Sequence, residues 1–120
     1  MFYNYLRYID AFAKEITPNF TQWINGSFVT KKEDPNDIDF VTFIDVDVFN
    51  RKYNNLEKYW SYSCEKENLD AYIVEIYPID HEKYKSYTVY HRNNWYQLFS
   101  RDRFNKYGID PPKGFIELIF

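Results

Sequence analysis

The chain has 120 residues, a formal net charge of −3 and a sequence pI near 5.3, so it reads as one domain, 1–120, with a mildly acidic surface. That balance excludes the broad basic footprint of a duplex-DNA-binding protein, and no apolar run approaches the ~20 residues of a membrane span. Thirteen Tyr, eleven Phe and only three Gly exclude a disordered composition, and a single Cys, Cys64, excludes an intrachain disulfide and a Cys-cluster zinc site. A domain of this length buries roughly two-thirds of its unfolded surface, enough for a core without staples. The N-terminus, Met1-Phe-Tyr-Asn-Tyr-Leu-Arg7, has no basic region leading into an apolar one, so no signal peptide is expected. With one cysteine, the expected location is a reducing cytoplasm.

Tyr5, Tyr8, Ile9, Phe12, Ala13 and Ile16 recur at three- and four-residue steps, which predicts an amphipathic helix stopped by Pro18. Phe20 to Asn25 is the first predicted strand, ended by Gly26-Ser27. Residues 28–36 read as a helical turn and loop, and Asp37 to Asp45 as the second strand. Asp47 caps a helix in which Tyr53, Leu56, Tyr59, Trp60 and Cys64 keep helical spacing, as far as the polar break at 65–68. Leu69 to Tyr77 is the third strand, ended by Pro78. A polar stretch from Asp80 or His81 reads as helical as far as Phe99, against the β-formers at 87–91 in its middle. Gly108 and Pro111-Pro112 mark turns, and Gly114 to Phe120 is an apolar final strand. Strands alternating with helices predict an α+β fold, a small mixed β-sheet with helices packed on it.

One stretch carries chemistry. The short apolar run from Gln22 ends at Gly26, which permits a sharp turn and a close approach of phosphate with no Cβ in the way. Ser27 offers a hydroxyl and a backbone N–H to phosphate oxygens. The loop 31–36 is charged and rich in turn formers. Lys31 and Lys32 are candidate phosphate contacts there and Thr30 a candidate hydroxyl, although a charged loop tip reads first as solvated. Side chains alternate along a strand, so Asp37 and Asp39 share a face ~7 Å apart. Two such carboxylates repel unless a cation sits between them, and Mg²⁺ takes oxygen ligands from one or two carboxylates plus substrate phosphates. Taken singly, Gly26-Ser27 reads as a strand-ending turn and Asp37-Ile38-Asp39 as turn chemistry after Pro35-Asn36. Taken together at this spacing, they point to a site for a nucleoside triphosphate and a divalent metal.

Gly26-Ser27, nine residues, then Asp37-Ile38-Asp39 at the head of a strand resembles the signature of the nucleotidyltransferase superfamily, the DNA polymerase β-like fold. The resemblance is strict over Trp23 to Phe40 and looser out to Val74. The ending Trp95-x3-Phe99-x-Arg101 … Pro112-Lys113-Gly114 looks like the tail of a small bacterial group within that superfamily. Some close analogues are minimal nucleotidyltransferase antitoxins, which work beside small helical toxins. The resemblance implies that Gly26 and Ser27 contact the triphosphate, with ATP favoured, and that Asp37 and Asp39 bind metal. It also implies a third carboxylate from a later strand, for which Asp70 is the best candidate. Two Mg²⁺ ions ~3.5–4 Å apart would serve such a site. The implied reaction is nucleotidyl transfer to a hydroxyl of a partner protein or of an RNA 3′ end.

Other acids fail on distance. Asp45 lies ~20 Å from Asp39 along the strand, and Glu75 ~16 Å from Asp70. Arg101 and Lys113 read as surface residues before nucleotide contacts. His81 reads as a helix-start residue and His91 as structural. The aromatic excess reads first as core or interface, and only then as a base-stacking platform. The rival class is a non-catalytic module that neutralises a partner toxin by binding it on a retained nucleotidyltransferase fold. A structural metal-binding domain is weaker, because the acids come with a phosphate-type turn.

Overall fold

The computed structural model of the chain describes residues 2–25, 38–60, 69–99 and 115–120. Of the sequence expectations, the turn and loop at 28–36, Cys64, the break at 65–68 and the turns at Gly108 and 111–112 lie outside the described residues.

Helix α1 (Phe2–Glu15) buries one stripe, Tyr5, Tyr8 and Phe12, and its exit at Ile16 is buried too. Arg7, Asp10 and Lys14 face water on the other side, with Tyr3 and Leu6 beside them. The last turn closes with the Ile16 N–H donating to the Phe12 carbonyl, and Pro18 prevents a further turn. The Lys14–Asp10 pair on the outer face is exposed and contributes little.

Strands β1 (Thr21–Asn25), β2 (Ile38–Asp45), β3 (Leu69–Ile76) and β4 (Phe115–Ile119) form one mixed sheet in the order β3-β2-β1-β4. β1 is antiparallel to both β2 and β4, and β2 is parallel to β3. Strand alternation sends two sets of apolar side chains to opposite faces. Ile24, Ile38, Phe40, Ile44, Leu69, Ala71 and Ile73 join α1 in the larger cluster. Trp23, Val41, Phe43 and Val74 form a smaller one on the other face with Phe99. A sheet covered on both faces explains why β2 reads as a nearly continuous apolar run. Among the described residues, no helix is long and apolar enough to cross a membrane.

Two expectations change on contact with tertiary structure. The helix expected from Asp47 to Cys64 is broken into α2 (Val46–Arg51), α3 (Tyr53–Leu56) and a 3₁₀ turn, Glu57–Tyr59. Asn54 and Asn55 are weak helix formers. The Tyr8 hydroxyl, reaching across from α1, donates to the Tyr59 carbonyl at 2.8 Å and seats that turn. The cap is also two residues earlier than the sequence suggests: Asp45 accepts from the Asp47 N–H at 2.8 Å. In the second case the expected helix begins as a π-helical stretch, Tyr84–Val89, and becomes regular only in α4 (Tyr90–Phe99). The wide turn brings the Thr88 hydroxyl to the Tyr77 N–H at 2.8 Å and the Tyr87 hydroxyl to Glu75 at 2.5 Å.

One buried polar chain crosses the α1 face. The Tyr5 hydroxyl donates to Gln22 Oε1, and Gln22 Nε2 donates to Thr42 Oγ1. Gln22 and Thr42 are fully buried, so each bond replaces one to water. Burial pushes the Tyr5 phenol well above its ordinary range. A folded pKa above the unfolded one favours the fold fully below the ordinary tyrosine value of ~10, and that contribution is lost as pH rises beyond it. The stability difference between the native chain and Tyr5→Phe should therefore hold steady up to about pH 10 and narrow above it. Urea midpoints measured across alkaline pH check this; a difference that widens would contradict it.

Candidate functional site

The parallel register aligns Ile38 with Leu69, Asp39 with Asp70 and Phe40 with Ala71. Asp39 and Asp70 are thus ladder partners on adjacent strands, whose spacing is ~4.8 Å. Their flanking residues, Ile38, Phe40, Leu69 and Ala71, all enter the α1 core. By alternation the two acids stand on the opposite face, at the head of the parallel strands, and both are half-buried. Like charges directly opposite each other in a sheet are destabilising, so a rung of two acids favours a cation or several donors beside it.

A third polar group completes the row. Asn25 ends β1 and is buried. The β1–β2 register, continued by one residue from Ile24↔Phe40, puts Asn25 across from Asp39. On its other side Asn25 pairs with Phe115 of β4. Sequence reasoning gave Asn25 no role. Its parity with Trp23 was the available signal, because both face away from α1. Gly26 and Ser27 follow Asn25 in sequence but lie outside the described residues, as do Lys31, Asp37, Thr30, Lys32, Arg101 and Lys113. Among the described residues, no three His, Cys, Asp or Glu side chains gather to hold a metal ion.

A family of unknown function, DUF6932, matches residues 1–119 of the chain. The chain belongs to this family. No curated protein and no solved structure matches it.

The remaining candidates in this DUF6932 chain lie away from the acid rung. Asp45 is exposed at the far end of β2, where it caps α2. Glu75 accepts from Tyr87 near the far end of β3, and burial followed by that carboxylate pushes the Tyr87 phenol up. Both histidines stand at that same far end. His91 packs on Tyr87 at 4.4 Å, and His81 on Tyr77 at 4.7 Å, with His81 Nδ1 accepting from the Lys83 N–H.

A cleft of about 520 Å³ opens on the α1 face, lined by Arg7, Tyr8, Asp10, Glu15, Lys58 and Tyr59 among others. Its acids already have cationic partners: Asp10 pairs with Lys14 at 3.0 Å and Glu15 with Lys58 at 2.8 Å. The Lys58 ammonium holds the Glu15 carboxyl below the usual carboxylate range. The cleft lies on the α1 face of the sheet, and the acid rung stands on the opposite face.

Proposed function

We propose that this DUF6932 chain transfers a nucleotidyl group from a nucleoside triphosphate, ATP favoured, to a hydroxyl of a protein or RNA acceptor, on a nucleotidyltransferase-like version of its α+β fold. The observation that carries the reading is the rung of Asp39 and Asp70 at the head of two parallel strands. β1 ends at Asn25 in the same row, and Gly26-Ser27 comes next in the sequence. Gly26-Ser27 following one strand in the sequence and paired acids opening the neighbouring strands are what the chemistry needs close together.

The donors suit a hard divalent cation, since they are carboxylates with no His or Cys in the row. Asp39 and Asp70 would hold Mg²⁺, with Asp37 joining them by sequence parity. When bound, Mg²⁺ supplies neutralisation of the triphosphate and leaving pyrophosphate and a lower pKa for the acceptor hydroxyl. The chain's own groups do the rest. Ser27 and the amides after Gly26 grip the β- and γ-phosphates, and Lys31 adds positive charge from the loop. The acceptor oxygen bonds to the α-phosphorus. The bond from that phosphorus to the oxygen bridging the β-phosphate breaks, and pyrophosphate leaves with the electron pair. The hydroxyl proton passes to the Asp70 carboxylate. By the antitoxin analogy, a toxin-like partner protein is the favoured source of the acceptor. A triphosphate substrate and a single cysteine suit the cytoplasm.

Ligand binding to the native state stabilises it by mass action, ~2.7 kcal/mol at a hundred times the dissociation constant. For this size of domain that raises Tm by on the order of 10 °C. ATP with Mg²⁺ should give such a shift and Mg²⁺ alone much less. Ser27→Ala should reduce the shift and Asp39→Asn nearly erase it. If no nucleoside triphosphate moves Tm at saturating concentration, the enzyme reading fails, and a partner-binding module takes its place. Where the shift is seen, incubation with labelled ATP, CTP, GTP and UTP, Mg²⁺ and cell extract names donor and acceptor together.

A further inference from the structure

We infer that Tyr72 and Trp95 form the surface on which the base of the nucleoside triphosphate stacks, an inference that rests on the reading of the acid rung given above. Tyr72 follows Asp70 by two residues on β3, so it shares the face of the rung about 6.6 Å further along the strand. It pairs in register with Val41, two residues after Asp39. Trp95 of α4 lies against it, with ring centroids 5.0 Å apart and planes at 48°. Both belong to the cluster on that face, yet they differ from its core. Phe43 and Phe99 are each 2% exposed, whereas Tyr72 and Trp95 are only half-buried.

The end of the cluster nearest the acids therefore holds two half-buried aromatic side chains beside two carboxylates. A metal ion or an inorganic phosphate would use the acids and leave the rings unused. A nucleotide uses both, because a single sugar separates its phosphates from a flat base. Stacking on a ring tolerates any base, and a purine offers the larger face, so purine triphosphates should bind more tightly than pyrimidine ones.

The test compares Mg²⁺ complexes of ATP, UTP and inorganic triphosphate by titration calorimetry on the full chain. The variants are Trp95→Ala, Trp95→Phe, Tyr72→Leu and Asp39→Asn. Trp95→Ala should weaken ATP by on the order of tenfold and leave inorganic triphosphate nearly unchanged, while Trp95→Phe stays close to the native chain. Tyr72→Leu keeps the apolar contact to Trp95 and loses the ring, so it should weaken ATP in the same sense even if Trp95→Ala folds poorly. ATP binding untouched by both ring variants, with inorganic triphosphate still dependent on Asp39, would overturn the stacking surface and spare the acid site. Inorganic triphosphate that fails to bind, or binds regardless of Asp39→Asn, would overturn the acid site and the stacking surface with it.

Discussion

Asp39→Asn is expected to abolish nucleotidyl transfer while leaving the fold intact. Asn keeps the shape of the side chain and removes its charge. The position is half-buried on the face opposite α1, and its neighbours Ile38 and Phe40 supply the local packing. Removing one electrostatic stabiliser from a preorganised site costs on the order of 10²–10³-fold in rate. Asp70→Asn should do the same, because Asp70 stands in the same rung. Groups that act as a unit are strongly non-additive, so the double variant should fall little further than either single one. Stability should stay level or rise by a few tenths of a kcal/mol, since a like-charge pair across a ladder has been relieved. Transfer assays and urea melts on the three variants check both halves. Loss of the fold, or full activity in Asp39→Asn, would give the acids a structural role.

The largest effect on stability is expected at the next residue. Phe40 is fully buried, with the Tyr5 and Tyr8 rings edge-on at 5.2 and 5.0 Å. Phe40→Ala removes the transfer energy of the ring and leaves a cavity between sheet and α1, at a cost of roughly 3–5 kcal/mol. Domains hold only about 5–15 kcal/mol in total, so Tm should fall by more than about 10 °C. Leu6→Ala, on the open face of α1, should change stability by no more than about 0.5 kcal/mol. Denaturant midpoints with an unchanged slope would measure both. A loss below about 1 kcal/mol at Phe40 would mean that the α1 face repacks around the gap.

These two neighbours also mark how far the sequence could be read. The strand holding Phe40 was legible, but as a half-buried one; the second cluster, which buries Val41 and Phe43 on its other face with Phe99, depends on an element far along the chain. The stripe of α1 was legible because Tyr5, Tyr8 and Phe12 repeat at helical steps. Pairing of Asp39 with Asp70 is a matter of register. It depends on β3 lying parallel to β2, and no local pattern encodes that alignment. Gln22 looked like the polar start of an apolar run. Its burial depends on Tyr5 and Thr42, which are 17 and 20 residues away. The break between α2 and α3 was hidden in the same way, because helical spacing continues through Leu56 and Tyr59 while the bond from Tyr8 comes from another element. At Tyr84–Val89 the β-formers did signal trouble, and the outcome is a widened helical turn that lets Thr88 and Tyr87 reach the end of β3.

Manganese titration followed by electron paramagnetic resonance addresses the central claim most directly, because Mn²⁺ takes the place of Mg²⁺ and reports its own binding. In the presence of a non-hydrolysable ATP analogue, the native chain should take up Mn²⁺ at a site that Asp39→Asn and Asp70→Asn each remove. Uptake that is independent of the nucleotide, or unchanged in both variants, would contradict a shared metal and triphosphate site on this rung.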